Sequence, residues 1–340
     1  MKRATGQPCH SSSPTVGTTL TRGLSLRRRI RCFVLAIGLA VIPGNSFATL
    51  FVASSGNGPN TGTIGAYTNS GAVINASLIT GLNGAGSVAV SGGFLYVITS
   101  DGKIGKYTTS GATVNASLVT GLNQPTDIEV SGNQIFVADF GHGSIGEYTT
   151  SGATINASLI SGVHSTGIAV SGTHLFVSSA SEFTGIAEYT TSGGTVNPLL
   201  IPNLSPFDVE VSGSNLFVWS AVGEGDVIGK YGIDGTAINP MLIPLIPLNA
   251  AFAVSGTDVF VVGDGFVSKY TTSGEVIQNP LISGLTNPGG IAVEGPSTVP
   301  EAFSTWWFGL IAAGLLGLAQ ALKARSGRPT MPTAASNRAI

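Results

Sequence analysis

Carboxylates are few in this chain, and they recur at one place in its sequence repeats. Asp101, Asp139, Glu182, Glu224 with Asp226, and Asp264 each follow an apolar triplet, in five different repeats, and His142 lies three residues past Asp139. Gathered on one rim, oxygen ligands of this kind suit a hard cation, and calcium is the cofactor such loops would take. Left apart in Asp-Gly turns, the same acids only solubilise loops and satisfy nearby backbone groups. A second set, Asp127, His164 and Asp208, falls in the connections that enter three of the repeats and would share that rim. His142 and His164 on adjacent units would give a divalent metal two imidazoles. His174, in a Ser-Gly turn, belongs on the opposite face. No Walker loop, HExxH or GxSxG occurs, so phosphate-cradle, zincin and serine-hydrolase chemistry are not encoded. These residues therefore read as a binding set (Asp101, Asp139, His142, Glu182, Glu224, Asp226, Asp264), with no catalytic residue assigned.

The repeats must position them. Leu50-Phe51-Val52 returns as Leu95-Tyr96-Val97, Ile135-Phe136-Val137, Leu175-Phe176-Val177, Leu216-Phe217-Val218 and Val259-Phe260-Val261, at spacings of 45, 40, 40, 41 and 43. Tyr67, Tyr107, Tyr148, Tyr189, Tyr231 and Tyr270 close an IGxY-like element in the same units. Each unit ends in a β-branched triplet before a turn, such as Ile128 to Val130. Four short runs rich in Val, Ile, Phe, Tyr and Thr, punctuated by Ser-Gly and Asn, read as four strands, and no helical period interrupts them. Units of about 42 residues with four strands have the size of propeller blades. The expected fold is all-β, a six-bladed β-propeller over residues 49–294 with repeats starting near 50, 95, 135, 175, 216 and 259. The first repeat lacks its leading strand and the last carries a surplus one at Ile291 to Val293, so the C-terminal strand should close the ring and remove the open edge. Asn75, Asn115 and Asn156 match the glycosylation acceptor pattern, but Asn-Pro replaces it in other repeats, and turn chemistry accounts for both.

The run Gln124-Pro125-Thr126-Asp127-Ile128-Glu129-Val130, then Ile135-Phe136-Val137-Ala138-Asp139, then Ile145-Gly146-Glu147-Tyr148, resembles NHL-type propeller repeats and the related streptogramin-lyase-like repeats. That resemblance implies the propeller fold. It also supplies the alternative to a binding role, a secreted metal-dependent enzyme of lyase or lactonase type.

Charge and composition give the address. Residues 49–300 hold only Lys103, Lys106, Lys230 and Lys269 against sixteen carboxylates, a net charge of −12. A body this acidic cannot displace counterions from a phosphate backbone, which excludes nucleic acid as a main partner. Both cysteines, Cys9 and Cys32, precede the body, so disulfides, cysteine zinc sites and thiol chemistry are absent from it. Arg22, Arg27, Arg28, Arg29 and Arg31 stand before an apolar run at 32–42 and Ser46-Phe47-Ala48, which reads as a secretory signal helix over 1–48 cleaved after Ala48. Residues 303–322 carry no charge, and at about 1.5 Å each they span roughly 30 Å, the thickness of a bilayer core. Basic residues of the tail 323–340 follow directly and should stay cytoplasmic. Within the linker 295–302, Val299-Pro300-Glu301 followed by this apolar helix and basic cluster resembles the PEP-CTERM sorting signals, which implies an exosortase-like processing enzyme as partner. The expected protein is exported and surface-sorted, anchored in the membrane by its C-terminal helix before processing. There it would bind or scaffold in the cell envelope or matrix, with extracellular polysaccharide or a surface protein as partner.

Overall fold

A computed structural model describes residues 48–179, 184–222, 225–246 and 251–295. Those residues form six four-stranded antiparallel sheets, the blades of a propeller. Blade 2 shows the plan, with Ala85–Ser91 innermost, then Phe94–Thr99, Lys103–Thr108 and, outermost, Thr113–Val119. Blades 3 to 6 begin with the inner strands Pro125–Ser131, Ile168–Ser171, Ser205–Ser212 and Ala251–Ser255. Blade 1 takes its inner strand, Pro288–Glu294, from the far end of the body and pairs it with Thr49–Ser54, Leu50 opposite Val293 and Val52 opposite Ile291. The six inner strands touch in a closed circle, each against the next blade's, and Pro288–Glu294 meets both Ala85–Ser91 and Ala251–Ser255.

Hydrophobicity follows position in the blade. Second strands pack between neighbouring blades on both faces, so their triplets are continuous apolar runs; Phe51, Tyr96, Phe136, Phe176, Phe217 and Phe260 are fully buried. Each such side chain contributes roughly 1.5–3 kcal/mol by leaving water. Outer strands face solvent and expose Val73, Ile74, Val114, Ile155, Val196, Ile238 and Val276. The core is divided into six clusters, each bridging two adjacent blades. One joins Leu50, Val52 and Tyr67 of blade 1 to Phe260, Val262 and Val267 of blade 6 across the closure.

The IGxY element has a steric cause. Side chains two apart in a strand share a face, and each Tyr ring folds back over the residue two before it. A Cβ on Gly65, Gly105, Gly146 or Gly229 would lie 2.7 or 2.8 Å from the ring of Tyr67, Tyr107, Tyr148 or Tyr231. Those four tyrosines are 4% or 5% exposed, Tyr189 over Ala187 is 9% exposed, and Tyr270 over Ser268 is only partly buried. Blades also interlock through their turns. The turn glycines Gly71, Gly111, Gly152, Gly193, Gly235 and Gly274 adopt positive φ and seat against Leu281, Leu78, Leu118, Leu159, Leu200 and Leu242 of the preceding blade. A Cβ at Gly71 would stand 2.4 Å from the Leu281 carbonyl oxygen, so the closing interface uses the same contact as the other five.

The Asn-Ala-Ser tripeptides lie in the outer strands, where Asn75, Asn115 and Asn156 Oδ1 accept the Ser77, Ser117 and Ser158 amides at 3.0–3.1 Å; Asn197 and Asn239 do the same for Leu199 and Met241. The side chain-to-backbone bond is the chemistry expected of turn residues, but these asparagines sit within strands beside a register shift rather than in turns, which corrects their expected place. The signal helix, Glu182, Glu224, the sorting motif Val299-Pro300-Glu301, the apolar span 303–322 and the tail 323–340 lie outside the described residues, of which Ala48 is the first. Among the described residues no helix is long and apolar enough to cross a membrane.

Candidate functional site

The rim acids are held by their own blades. Asp101, in the turn after Phe94–Thr99, accepts bonds from Thr99 Oγ1 (2.6 Å) and Lys103 Nζ (2.5 Å), and these hold its carboxyl below the usual range. Asp139 is buried and accepts the Asn123 amide and His142 Nδ1, both at 2.8 Å. Asp226 is buried too, beneath Trp219, whose Nε1 donates to it at 3.1 Å. Asp264 projects into solvent from a turn. His164 packs edge-on against Phe140, with its Nε2 3.0 Å from where a Cβ on Gly143 would be. His174 donates to Glu188 at 2.6 Å. Among the described residues no three His, Cys, Asp or Glu side chains converge to hold a metal ion. Asp101, Asp139 and Asp226 thus serve local turns and hairpins.

Asp127 and Asp208 are not rim residues, which corrects their expected place in the entering connections. Both sit within inner strands, immediately after a one-residue bulge: Pro125 pairs with Asp139 but Asp127 with Ala138, and Pro206 pairs with Ser220 but Asp208 with Trp219. Bulges re-aim the side chains beside them. Here they bring the two aspartates into the central cavity, of about 240 Å³, together with Glu129 and Glu210 two residues further on. Ser87, Thr126 and Thr166 add hydroxyls to its wall, and Phe207, exposed at the second bulge, leans on Trp219 with ring centroids 4.8 Å apart.

Blade symmetry makes the four acids conspicuous. Where blade 3 has Asp127-Ile128-Glu129 and blade 5 has Asp208-Val209-Glu210, the other inner strands carry Ser87-Val88-Ala89, Gly167-Ile168-Ala169, Ala251-Phe252-Ala253 and Gly290-Ile291-Ala292. Small residues leave the room that the carboxylates occupy; a Cβ at Gly167 would fall 2.4 Å from Asp208 Oδ1. Asp127 is the most hydrogen-bonded member. Its Oδ1 accepts Ser87 Oγ of blade 2 (2.7 Å) and its own strand's Ile128 amide (2.9 Å), while Oδ2 accepts the Ile168 amide of blade 4 (2.8 Å). Burial nevertheless raises its pKa. Glu129 has one bond, from the Val130 amide at 3.2 Å, and burial plus the Asp127 charge push it up to about 8. Asp208 and Glu210 rise well above the carboxylate range, through burial first and then the charges of the other acids. Glu129 and Glu210 were missed as site residues in the sequence, although the Asp-x-Glu-Val sequence in two alternate repeats was the available signal.

Comparison with known proteins bears on the same strands. The LVIVD repeat family model matches residues 84–104 and 124–143. The two matches fall in blades 2 and 3. Each matched segment runs from an inner strand through the second strand into the turn or strand beyond it, so the second one contains Asp127 and Glu129. Among curated proteins none matches by sequence. A chain of the nidogen/laminin complex is 14% identical with a TM-score of 0.57, over 72% of this chain and 98% of that one. A streptogramin B lyase structure is 16% identical, TM-score 0.43, covering 63% of this chain and 70% of the other. The computationally designed Ika8 protein is 14% identical, TM-score 0.41, covering 67% and 71%. At 14% identity the likeness to the nidogen/laminin chain is one of fold.

Proposed function

We propose that this protein is an exported, surface-sorted propeller that binds or scaffolds in the cell envelope or extracellular matrix, with the mouth of the central channel as its binding site and polysaccharide as the partner class. The observation that carries the reading is the lining of that cavity: carboxylates and hydroxyls beside the exposed ring of Phe207, which leans on buried Trp219. Acceptors that hydrogen-bond sugar hydroxyls, set next to an aromatic face that stacks on their C–H surface, are what a polyhydroxylated ligand needs. Export rests on the basic-apolar-small order before Ala48, and sorting on Val299-Pro300-Glu301 with the apolar span behind it. Full-length protein, purified in detergent and immobilised, should retain neutral polysaccharides from a defined panel, and Phe207→Ala should weaken retention about tenfold, or ~1.4 kcal/mol. Retention of none, or equal retention by the variant, would remove the channel from the proposal.

One observation favours the enzyme alternative. Buried Asp139 fixes His142 through Nδ1 and turns its Nε2 outward, the arrangement by which carboxylates orient metal-binding histidines. Native mass spectrometry of the full chain with added divalent metals decides between the readings. Stoichiometric metal that disappears in His142→Ala supports the metalloenzyme, and its absence supports the scaffold.

A further inference from the structure

Among the described residues the channel wall holds four carboxylates and no cation. Every other residue lining it is apolar, Gly or a hydroxyl. The four lysines of the body are engaged elsewhere: Lys103 with Asp101, Lys106 with the Thr150 carbonyl, Lys230 with the Thr272 carbonyl, and Lys269 with Asp258 and the Asn69 carbonyl. No charged partner reaches the acids from the strands packed around them either. The inner strands of blades 2, 4 and 6 carry no titratable side chain, and blade 1's carries only Glu294 at its end. Of the neighbouring second strands, Phe94–Thr99 offers only the Tyr96 phenol, Gln134–Asp139 only Asp139, which is bonded to Asn123 and His142, and His174–Ser179 only His174, which is bonded to Glu188; Asn215–Val222 offers nothing. Asp127 at the same time ties three blades together, through Ser87, its own strand and the Ile168 amide.

We propose that the channel acids are a proton-operated lock: ionised Asp127 ties blades 2 to 4 through the bonds donated to it while Glu129, Asp208 and Glu210 keep their protons, and once these ionise too the four charges repel one another across blade 4 and loosen the ring. Like charges gathered in one poorly solvated cavity cannot all ionise together, so some of the set keep their protons. The direction of the effect follows from linkage. The folded acids bind protons more tightly than the same residues in the unfolded chain, which titrate near pH 4. Their contribution is therefore fully present below about pH 4 and is lost as pH rises through the folded values, about 8 for Glu129. The lock operates whatever ligand the channel takes.

Thermal melting of the full-length protein in detergent from pH 4.5 to 9 tests this. The midpoint should fall by roughly 5 °C or more between pH 5 and 8. The double variant Glu129→Gln, Glu210→Gln keeps the shape of protonated carboxyls, so its midpoint should lie above wild type at pH 8 and change little with pH. Calorimetry in two buffers of different ionisation enthalpy gives a second measurement on unmodified protein: unfolding at pH 7 should release at least one proton. A wild-type midpoint constant from pH 5 to 8, a double variant as pH-sensitive as wild type, or unfolding without proton release would each overturn the lock. Should the variant fail to fold, the proton count on wild type still decides.

Discussion

Tyr148 and its five counterparts show how one small residue sets the depth of a large one. With Gly two positions earlier the tyrosine is 4% or 5% exposed, with Ala187 there Tyr189 is 9% exposed, and with Ser268 there Tyr270 is only partly buried. Replacing Gly146 by Ala should lift Tyr148 and cost about 1–2 kcal/mol, the range of an overpacked core position, measured as a shift in urea midpoint at constant slope. Ala187 shows that such a blade still forms. Burial also raises the phenol pKa of Tyr67, Tyr107, Tyr148, Tyr189 and Tyr231. Ultraviolet titration of the folded chain should accordingly show these rings ionising above pH 10, with stability lost as pH climbs through their folded values. This register was legible in the sequence, because a tyrosine every forty-odd residues survives any loop variation. The partners of the acids were not. Asp226 lies under Trp219 only because the hairpin pairs Ala221 with Asp226, and nothing local in the sequence announces that register.

At the level of strands, closure and channel depend on different features. Closure was readable from a missing strand at one end of the body and a spare one at the other, and Pro288–Glu294 does pair with Thr49–Ser54. The Gly71–Leu281 contact and the bond from Lys269 to the Asn69 carbonyl both cross that joint. A chain ending after Leu285 should therefore expose the edge of Thr49–Ser54 and aggregate, whereas one ending after Gly295 should stay monomeric by light scattering. Lys269→Met, which keeps the stem over Phe260 but loses the bonds to Asn69 and Asp258, should cost about 1 kcal/mol. The position of the channel acids was not readable. Asn123-Gln124-Pro125 before Asp127 has the composition of a turn, so the acid was assigned to a loop. A bulge, which depends on cross-strand pairing, carries it into the inner strand.

For the whole molecule, the fold and the proposed address draw on separate parts of the sequence. Periodicity over residues 49–294 sufficed for six blades, since each must bury its second strand against the next, and the six clusters between blades are the result. The export and sorting proposed above rest on the composition of the two ends. Lysine at mid-helix costs about 2.5–3.5 kcal/mol on insertion scales, so Leu315→Lys with Leu316→Lys should shift the protein from the membrane fraction to the medium with its tail intact, as fractionation and intact-mass measurement would show. The joint in blade 1 has one more consequence. In blades 2 to 6 the inner strand runs into the second through a two-residue turn opened by a glycine of positive φ, as Ser91-Gly92-Gly93-Phe94 does, with Ser91 and Phe94 paired. Glu294 and Thr49 are paired in the same way, but no peptide bonds join them. A Gly-Asn dipeptide inserted between them would supply the absent turn, and the backbone could then be cut instead at Gly172-Thr173 or any of the equivalent hairpins. The order in which the blades are translated is thus a property of the gene, and a circularly permuted reading frame starting at His174 should fold to the same ring.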